Sequence, residues 1–415
     1  MGAIYASASA HNVTIVGGDV DTVGIIGLLT GGGYGPLSST YGTAADAVLE
    51  FEVVTADGDL LVVNECQHTN LFWALRGGSA GTFGVVISVT IIPNSSNAPG
   101  AGFLGNLSAS VLGGPPQGVI SWELRIVNNT IAAAEALAMP LLKRIGNLSS
   151  EISFEVHTAH FPDFASYGAS FNGLQEVGVN ALVGGRFLDT ASLQHNHTFL
   201  KQTLKAAVAP TGGLLLGEPL MAEGAWKAIP RGGDNALSDA WRSAVTNLLI
   251  PVSWASHNVT ERELVTSDLT NKRVAALRKL APNTGVYLNE CDLNEPAFPE
   301  AFWGAKYSGL LAVKRSCPTS VGIVAILVAI FLAWRSSDKS FREFVCGWRR
   351  SSPGTNPRAA PDLEQQAGHE AMPLNRLPTS PLCRSSPLRR SARIAALTPP
   401  RRSSRLAARS HSSPR

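Results

Sequence analysis

The pattern of apolar and polar positions predicts several short strands and helices in the first part of the chain. Leu49 to Ala56 and Leu60 to Val63 flank Asp57-Gly58, a dipeptide typical of hairpin turns. Val85 to Ile92 is apolar and rich in β-branched residues, which predicts a buried strand. Asn70 to Arg76 predicts a short helix that ends before a glycine. We therefore expect a first unit of mixed helix and antiparallel strand.

A second unit is predicted after a Gly-, Ser-, Asn- and Pro-rich linker at 94–118. Its periodicity predicts helices at Ile131–Ile145, Phe199–Val208 and Asn271–Leu280, and strands at Glu151–His157 and Val286–Glu290. Pro140 is expected to kink or split the first of these helices.

An uncharged segment follows the second unit. Ser316 to Trp334 contains 19 residues without a charge, and a membrane-spanning helix needs about 20. Arg335 and Lys339 come directly after it, which places a basic tail on the cytosolic side by the positive-inside rule. Residues 317–334 are therefore a candidate transmembrane helix, the alternative being a buried segment of a globular unit.

The charge is divided unevenly along the chain. Residues 335–415 carry 16 Lys+Arg against 5 Asp+Glu, whereas residues 1–334 carry 18 against 26. The acidic globular part is not expected to bind nucleic acid. Residues 351–415 are rich in Ser, Pro and Arg, which predicts a disordered tail. Its basic clusters at 389–395 and 401–407 suit anionic lipid headgroups or serine phosphorylation, although a solvated tail is the simpler interpretation.

Seven N-x-S/T sequons all precede residue 260, and none lies in the tail. They begin at Asn12, Asn94, Asn106, Asn128, Asn147, Asn196 and Asn258. Their confinement to one side of the apolar segment favours a glycosylated globular part on the lumenal or extracellular face. No signal-peptide pattern and no myristoylation pattern is present at the start of this sequence.

The cysteines and histidines predict no metal site. The five cysteines have no metal-ligand spacing, and a Cys66–Cys291 disulfide is an open possibility. His195 and His197 are the only close histidine pair, and they flank a sequon asparagine, which indicates a surface loop.

Glycine clusters mark the region with the strongest chemical signal. Gly31-Gly32-Gly33-Tyr34-Gly35 lets the backbone approach a ligand closely, because glycine has no Cβ and tolerates positive φ. Neither this run nor 77–84 has the spacing of a Rossmann or P-loop motif. Spacing alone leaves open whether the glycines hold a ligand or only form turns.

The order of the motifs resembles the second half of the FAD-binding, PCMH-type domain of fungal berberine-bridge-enzyme-like oxidoreductases. The matching segments are Val23-Gly24, Gly31 to Tyr34, Pro36 to Ser39, Gly42 to Asp46, Glu52 to Gly58, Leu71 to Gly78 and Phe83 to Val86. Seven matches in the same order within about seventy residues make this resemblance specific.

The resemblance implies an α+β fold in four segments. These are the C-terminal half of a FAD-binding domain at 1–97, a substrate domain with antiparallel sheet and covering helices at 119–315, the apolar segment 317–334 and the tail 335–415. The first third of a typical member has no counterpart in this sequence. With it are absent the histidine that binds flavin covalently and, at Val20, the cysteine of a second link. FAD is therefore expected to bind non-covalently.

The matched motifs also imply the site. The cofactor-binding residues are expected to be Val23, Gly24, Gly31, Gly32, Gly33, Tyr34, Gly42, Asp46, Gly84, Val85, Val86 and Asn289. A second block, from Gly285 to Glu290 with Asp292, Glu295-Pro296, Phe302 to Gly304, Tyr307 and Leu310, resembles the family strand that passes the flavin from the substrate side.

That second block implies the catalytic residues. We expect Tyr287 and Glu290 to be the catalytic residues. Tyr287 would take a proton from a substrate hydroxyl, and Asn289 and Glu290 would orient the reacting groups. The alternative is that Tyr287 only packs as an interior strand residue.

Three hypotheses follow for the whole chain. The first is a FAD-dependent oxidase acting on an alcohol, sugar or secondary metabolite, with molecular oxygen as acceptor. The second is a non-catalytic, membrane-tethered glycoprotein derived from a shortened flavin-oxidase gene. The third is a longer natural protein that includes the missing third.

Overall fold

The computed structural model describes residues 1–95, 103–105, 131–147, 159–161, 166–167, 179–208, 215–219, 223–316 and 393–395. The helices are α1 Gly2–Ser9, α2 Ile25–Gly31, α3 Ser38–Tyr41, α4 Thr69–Leu75, α5 Ile131–Gly146, α6 Thr190–Gln194, α7 His197–Ala207, α8 Glu223–Trp226, α9 Val259–Asp268, α10 Val274–Leu280, α11 Phe298–Trp303 and α12 Tyr307–Ser316. The strands are β1 Val13–Thr14, β2 Val48–Val54, β3 Leu60–Asn64, β4 Val85–Ile91, β5 Asn94–Ser95, β6 Phe103–Gly105, β7 Ala159–Phe161, β8 Ala181–Asp189, β9 Leu216–Pro219, β10 Ala244–Ser253 and β11 Arg393–Ala395.

The first large sheet has the strand order β11-β4-β2-β3, and its pairs are antiparallel. The predicted hairpin is confirmed: β2 and β3 pair around a turn in which Gly58 has φ +89°. Phe51 and Val53 point into the core, as a half-buried strand requires. The predicted short helix is also present as α4.

The second large sheet has the order β8-β10-β9 and is again antiparallel. Phe187 on β8 faces Asn247 on β10, and Gly185 faces Leu249. Residues directly opposite each other share a face of the sheet, so these four residues lie on one face. The other face packs Leu188, Leu248 and Ile250 against α10.

The C-terminal block packs into the core of the first unit. One hydrophobic cluster joins Phe51 and Phe72 of the FAD-like part to Val286, Trp303 and Leu310. The Trp303 indole N–H donates to the Gly77 carbonyl at 3.0 Å, across 226 positions of sequence. The segment that follows β10 therefore completes the core begun by residues 1–91.

Three expectations need correction. Val286–Glu290 is not a strand: Tyr287 is extended and Leu288–Glu290 form a 3₁₀ turn, because the segment pairs with the glycine-rich region through side chains and not through a ladder. Pro140 does not split its helix, which runs through it as α5. The Cys66–Cys291 disulfide is absent, since Cys291 is a free buried thiol.

Some expectations fall outside the described residues. The predicted strand Glu151–His157, the segment 317–334 and nearly all of the tail are among them. Within the described part of the chain, no helix combines the length and apolarity that crossing a membrane requires. Of the tail, the structure describes Arg393–Ala395, which pairs with β4.

Candidate functional site

A carboxylate lies where the two units meet. The Tyr34 hydroxyl, at the end of the glycine run, donates to Glu290 Oε2 at 2.6 Å. The Asn247 amide, in the middle of β10, donates to the same oxygen at 2.8 Å. Glu290 is half-buried, and its two donors are far apart in the sequence, one in the glycine-rich region and one in β10. The arrangement holds one carboxylate oxygen and leaves the group near solvent.

Tyr287 lies next to this carboxylate but is more deeply buried. Its side chain is 2% exposed, and its hydroxyl accepts a hydrogen bond from the Asn289 amide at 2.7 Å. Burial, together with the negative charge of Glu290, raises the pKa of Tyr287 well above its ordinary value. The phenol therefore stays protonated across the range in which enzymes work.

An aromatic cluster supports Tyr287. The rings of Tyr34 and Tyr287 meet edge to face at 5.5 Å, and those of Trp241 and Tyr287 at 5.1 Å. Phe187 packs on the other side of Trp241 at 4.9 Å. Edge-to-face pairs of this kind fix ring orientation. They hold Tyr34 and Tyr287 in a defined relation to the carboxylate.

The glycine run allows this close packing. Gly32 has φ +119° and Gly33 has φ +73°, which side-chain-bearing residues rarely adopt. A Cβ at Gly31 would lie 2.7 Å from Asn289 Nδ2, and one at Gly32 would lie 2.7 Å from Leu237. Gly31 and Gly32 thus admit side chains of the second unit, whereas Gly33 packs against Leu28 and Ala44 of the first.

Asp46 forms a buried ion pair. Its carboxylate accepts two hydrogen bonds from Arg242, at 2.7 and 2.8 Å, and one from the Asn235 amide at 2.8 Å. The Thr43 backbone N–H donates to it as well. Burial alone would raise the pKa of Asp46, but the hydrogen bonds and charge of Arg242 outweigh it and lower the pKa. Protein groups therefore hold the Asp46 carboxylate in place. They also fix the nearby turn at Gly42, which has φ +92°.

Gly84, Val85 and Val86 lie at the start of β4. Val85 and Val86 pair with β2, and a Cβ at Gly84 would lie 2.7 Å from Val53. The described contacts of these residues are with the first sheet, whereas Tyr34 donates to the Glu290 carboxylate and Asn289 donates to the Tyr287 hydroxyl and the Gly27 carbonyl.

An open backbone surface borders the carboxylate. Val23 is 38% exposed, and Cβ atoms added at Gly24 or Gly27 would meet nothing within 4 Å. The exposed Asn289 amide donates to the Gly27 carbonyl at 3.0 Å and so fixes one rim of the surface. Open space at Gly24 and Gly27 therefore lies beside the Asn289 amide, and Asn289 is the residue before Glu290.

Comparisons with known proteins agree with this geometry. Residues 1–64 match a family described as a FAD binding domain. The FAD-linked oxidoreductase hmp9 of Hypomyces subiculosus is 30% identical over 376 residues, covering 77% of this chain and 59% of that protein. The chain therefore spans about three-fifths of the length of the curated relatives it matches.

Solved structures share the fold. The VAO-type flavoprotein MtVAO713 from Myceliophthora thermophila C1 has a TM-score of 0.64 at 24% identity, covering 76% of this chain and 63% of that one. The wild-type BBE-like 1 protein of Physcomitrella patens has a TM-score of 0.61 at 21% identity, covering 77% and 73%.

These findings confirm the resemblance that the motifs implied. The described chain has the fold of VAO-type and BBE-like flavoproteins, and its residues 1–64 match a FAD binding domain family. More particularly, it is similar to fungal FAD-linked oxidoreductases such as hmp9. The surface at Gly24, Gly27 and Asn289 fits a flavin ring, since it offers open space, backbone and one amide. That FAD binds non-covalently stays a prediction, and so does the role of each residue expected to bind the cofactor.

Sequence reasoning missed Asn247 and Arg242. Asn247 lies in an apolar strand, and Arg242 ends the short 3₁₀ helix Asp239–Arg242, so no local pattern marks either of them. Their importance arises only from contacts across 43 and 196 positions. The signal that could have indicated Asn247 is a polar residue within an apolar run, because a buried polar group is expected to have a hydrogen-bond partner.

Proposed function

We propose that this chain is part of a FAD-dependent oxidoreductase that oxidises a hydroxyl group of a small molecule, with molecular oxygen as the acceptor. Its substrate class is an alcohol, a sugar or a hydroxylated secondary metabolite. The observation that carries the proposal is a half-buried carboxylate, Glu290, held by Tyr34 and Asn247 beside an open glycine surface. Bound FAD would supply the redox chemistry by taking up two electrons from the substrate carbon and passing them to the acceptor.

Glu290 suits the role of proton acceptor better than Tyr287. An ionised carboxylate accepts a proton at neutral pH, whereas the buried Tyr287 phenol already carries one. Tyr287 then acts through Asn289: its hydroxyl accepts from the amide that also contacts the Gly27 carbonyl. These two hydrogen bonds keep the Gly27 rim of the surface in a fixed position relative to the Glu290 carboxylate.

Replacement of Glu290 tests the assignment. Glu290→Gln keeps the shape of the side chain but removes the base, so the rate of flavin reduction by substrate should fall about 100-fold or more. The measurement is anaerobic bleaching of bound flavin with a panel of alcohols and sugars. Glu263→Gln, a change at an exposed position of α9, is the matched control and should leave the rate unchanged.

The same experiment separates the two candidate bases. Tyr287→Phe should slow flavin reduction less than Glu290→Gln. A larger loss with Tyr287→Phe, or unchanged reduction in Glu290→Gln, would assign the proton transfer elsewhere.

A non-catalytic role is the second candidate. The chain spans about three-fifths of the length of its curated relatives, so the activity of those relatives has to be tested on this chain directly. We further propose, as an extension that rests on the sequons and the apolar segment alone, that such a protein would be a glycosylated, membrane-anchored one. A purified full chain that binds no FAD would support this second function.

A further inference from the structure

Asn247 is a buried amide inside an apolar strand. It is 0% exposed, and Leu248, Leu249 and Ile250 follow it along β10. Its Nδ2 donates to Glu290 Oε2 at 2.8 Å. Its Oδ1 is buried and has no hydrogen-bond partner in the part of the chain that the structure describes. A buried amide whose oxygen makes no hydrogen bond is unfavourable, so a specific role should compensate for this cost.

The hydrogen bond to Glu290 explains why an amide side chain lies at this buried position. Glu290 Oε2 receives neutral donors from Tyr34 and Asn247, which favour the charged carboxylate. A side-chain amide can also turn by 180° about its last bond, and then its oxygen faces the carboxyl group. In the first orientation it donates to a carboxylate, and in the second it accepts from a carboxylic acid.

The other ionisable groups near Glu290 do not offer this exchange. Tyr287 and Cys291 are buried and have raised pKa values, so both stay neutral. Asp292 is buried with one carboxylate oxygen unpaired, and Glu295 is engaged by Arg278 at 2.8 Å. Among the described neighbours of Glu290, the Tyr34 hydroxyl and the Asn247 amide can hydrogen-bond either protonation state, and Asn247 is the one of these two with a buried unsatisfied oxygen.

We propose that Asn247 is a positioning residue that sets the basicity of Glu290 by donating to its carboxylate before proton uptake and accepting from its carboxylic acid afterwards. The proposal rests on the proposed function in one respect, namely that the proton comes from a substrate hydroxyl. The proton moves from that hydroxyl to Glu290, and the amide changes only its orientation.

The test compares Asn247→Asp with Asn247→Leu. Asn247→Asp places a second carboxylate beside Glu290, so the pH at which flavin reduction reaches half its maximum should rise by about one unit or more. Asn247→Leu removes the amide and its hydrogen bond to Glu290 at similar volume and should also move that pH, with no second charge. If both variants fold and keep the wild-type pH midpoint, the proposal is overturned.

A second measurement needs no FAD. A carboxylate whose pKa is raised on folding stabilises the fold at low pH and loses that contribution as pH rises through the folded pKa. The Tm of Asn247→Asp should therefore fall further below the wild-type Tm as pH rises from about 5 to about 8. Adding Glu290→Gln should weaken this trend and leave only the part caused by burial of the introduced carboxyl group, because the two carboxylates no longer meet.

The two readouts separate the proposals. A Tm trend that depends on Glu290, together with normal flavin reduction in Glu290→Gln, would keep the Asn247–Glu290 coupling and reject Glu290 as the base. Loss of Tm in Asn247→Leu at every pH, with an unchanged pH midpoint, would show a merely structural amide and overturn the inference.

Discussion

At the scale of single residues, Asp46 shows how an acidic side chain from a matched motif becomes part of the framework. Its carboxylate, 5% exposed, is engaged by Arg242, Asn235 and the Thr43 backbone. A buried, hydrogen-bonded pair of this kind is costly to break, because removing one partner leaves an uncompensated charge. Asp46 thus ties the turn after the glycine run to the loop that carries Trp241.

We expect Asp46→Asn to destabilise the fold by on the order of 3 kcal/mol at neutral pH. Because the pKa of Asp46 is lowered in the folded state, its contribution is present above the unfolded pKa and is lost as pH falls through the folded pKa. Urea unfolding of wild type and variant across acidic pH should therefore show the difference shrinking on acidification.

Asp59→Asn, at an exposed position beside the β2–β3 turn, is the matched control and should change the free energy of unfolding little. A difference for Asp46→Asn that stays constant with pH would contradict the ion-pair account.

The sequence predicts site residues only where they belong to a recognisable motif. Tyr34, Asn289 and Glu290 were named from matched motifs, and the structure brings them together across 256 positions of sequence. Asn247 could not be named, because its partner comes from a different element and its own surroundings predict only a buried strand. The choice between Tyr287 and Glu290 as base likewise depends on burial, which the local pattern does not give.

At the scale of elements, local signals predicted structure where local physics decides it. The β2–β3 hairpin follows from alternation and an Asp-Gly turn, and α4 ends where Gly77 takes φ +116°. The segment 286–290 was predicted as a strand from its apolar residues, yet it forms an extended residue and a 3₁₀ turn. Its conformation is decided by tertiary contacts, which override β propensity.

The turn at Gly58 gives a test at this scale. Gly58 has φ +89°, and a Cβ there would meet nothing within 4 Å, so only backbone strain opposes a side chain. Gly58→Ala should cost about 1–2 kcal/mol of unfolding free energy. Gly81 also has open space but no positive φ, so Gly81→Ala should be neutral or stabilising by about 0.4–1 kcal/mol. Equal effects of the two changes in chemical denaturation would refute the strain argument.

At the scale of the whole molecule, the two units share one core and are joined by buried polar contacts. Arg76, 1% exposed, donates to the carbonyl groups of Phe72, Arg231 and Asp234. Burial lowers the pKa of Arg76 to about 10, which still leaves it charged at neutral pH. Contacts of this kind, with those of Glu290, make the site depend on both units together.

Our central proposal is that this chain holds FAD on the surface formed by Gly24, Gly27 and Asn289. The most direct measurement is the visible spectrum of the purified full chain after incubation with FAD and gel filtration. We predict that oxidised flavin co-elutes with the wild-type protein. Gly27→Phe should lose the flavin while remaining folded, because the added ring fills open space and meets no protein atom at its Cβ. Gly81→Phe, also at an open position, should keep it.

A colourless wild-type protein would contradict the claim that the chain by itself binds FAD. Equal flavin content in wild type and Gly27→Phe would show that the cofactor lies elsewhere.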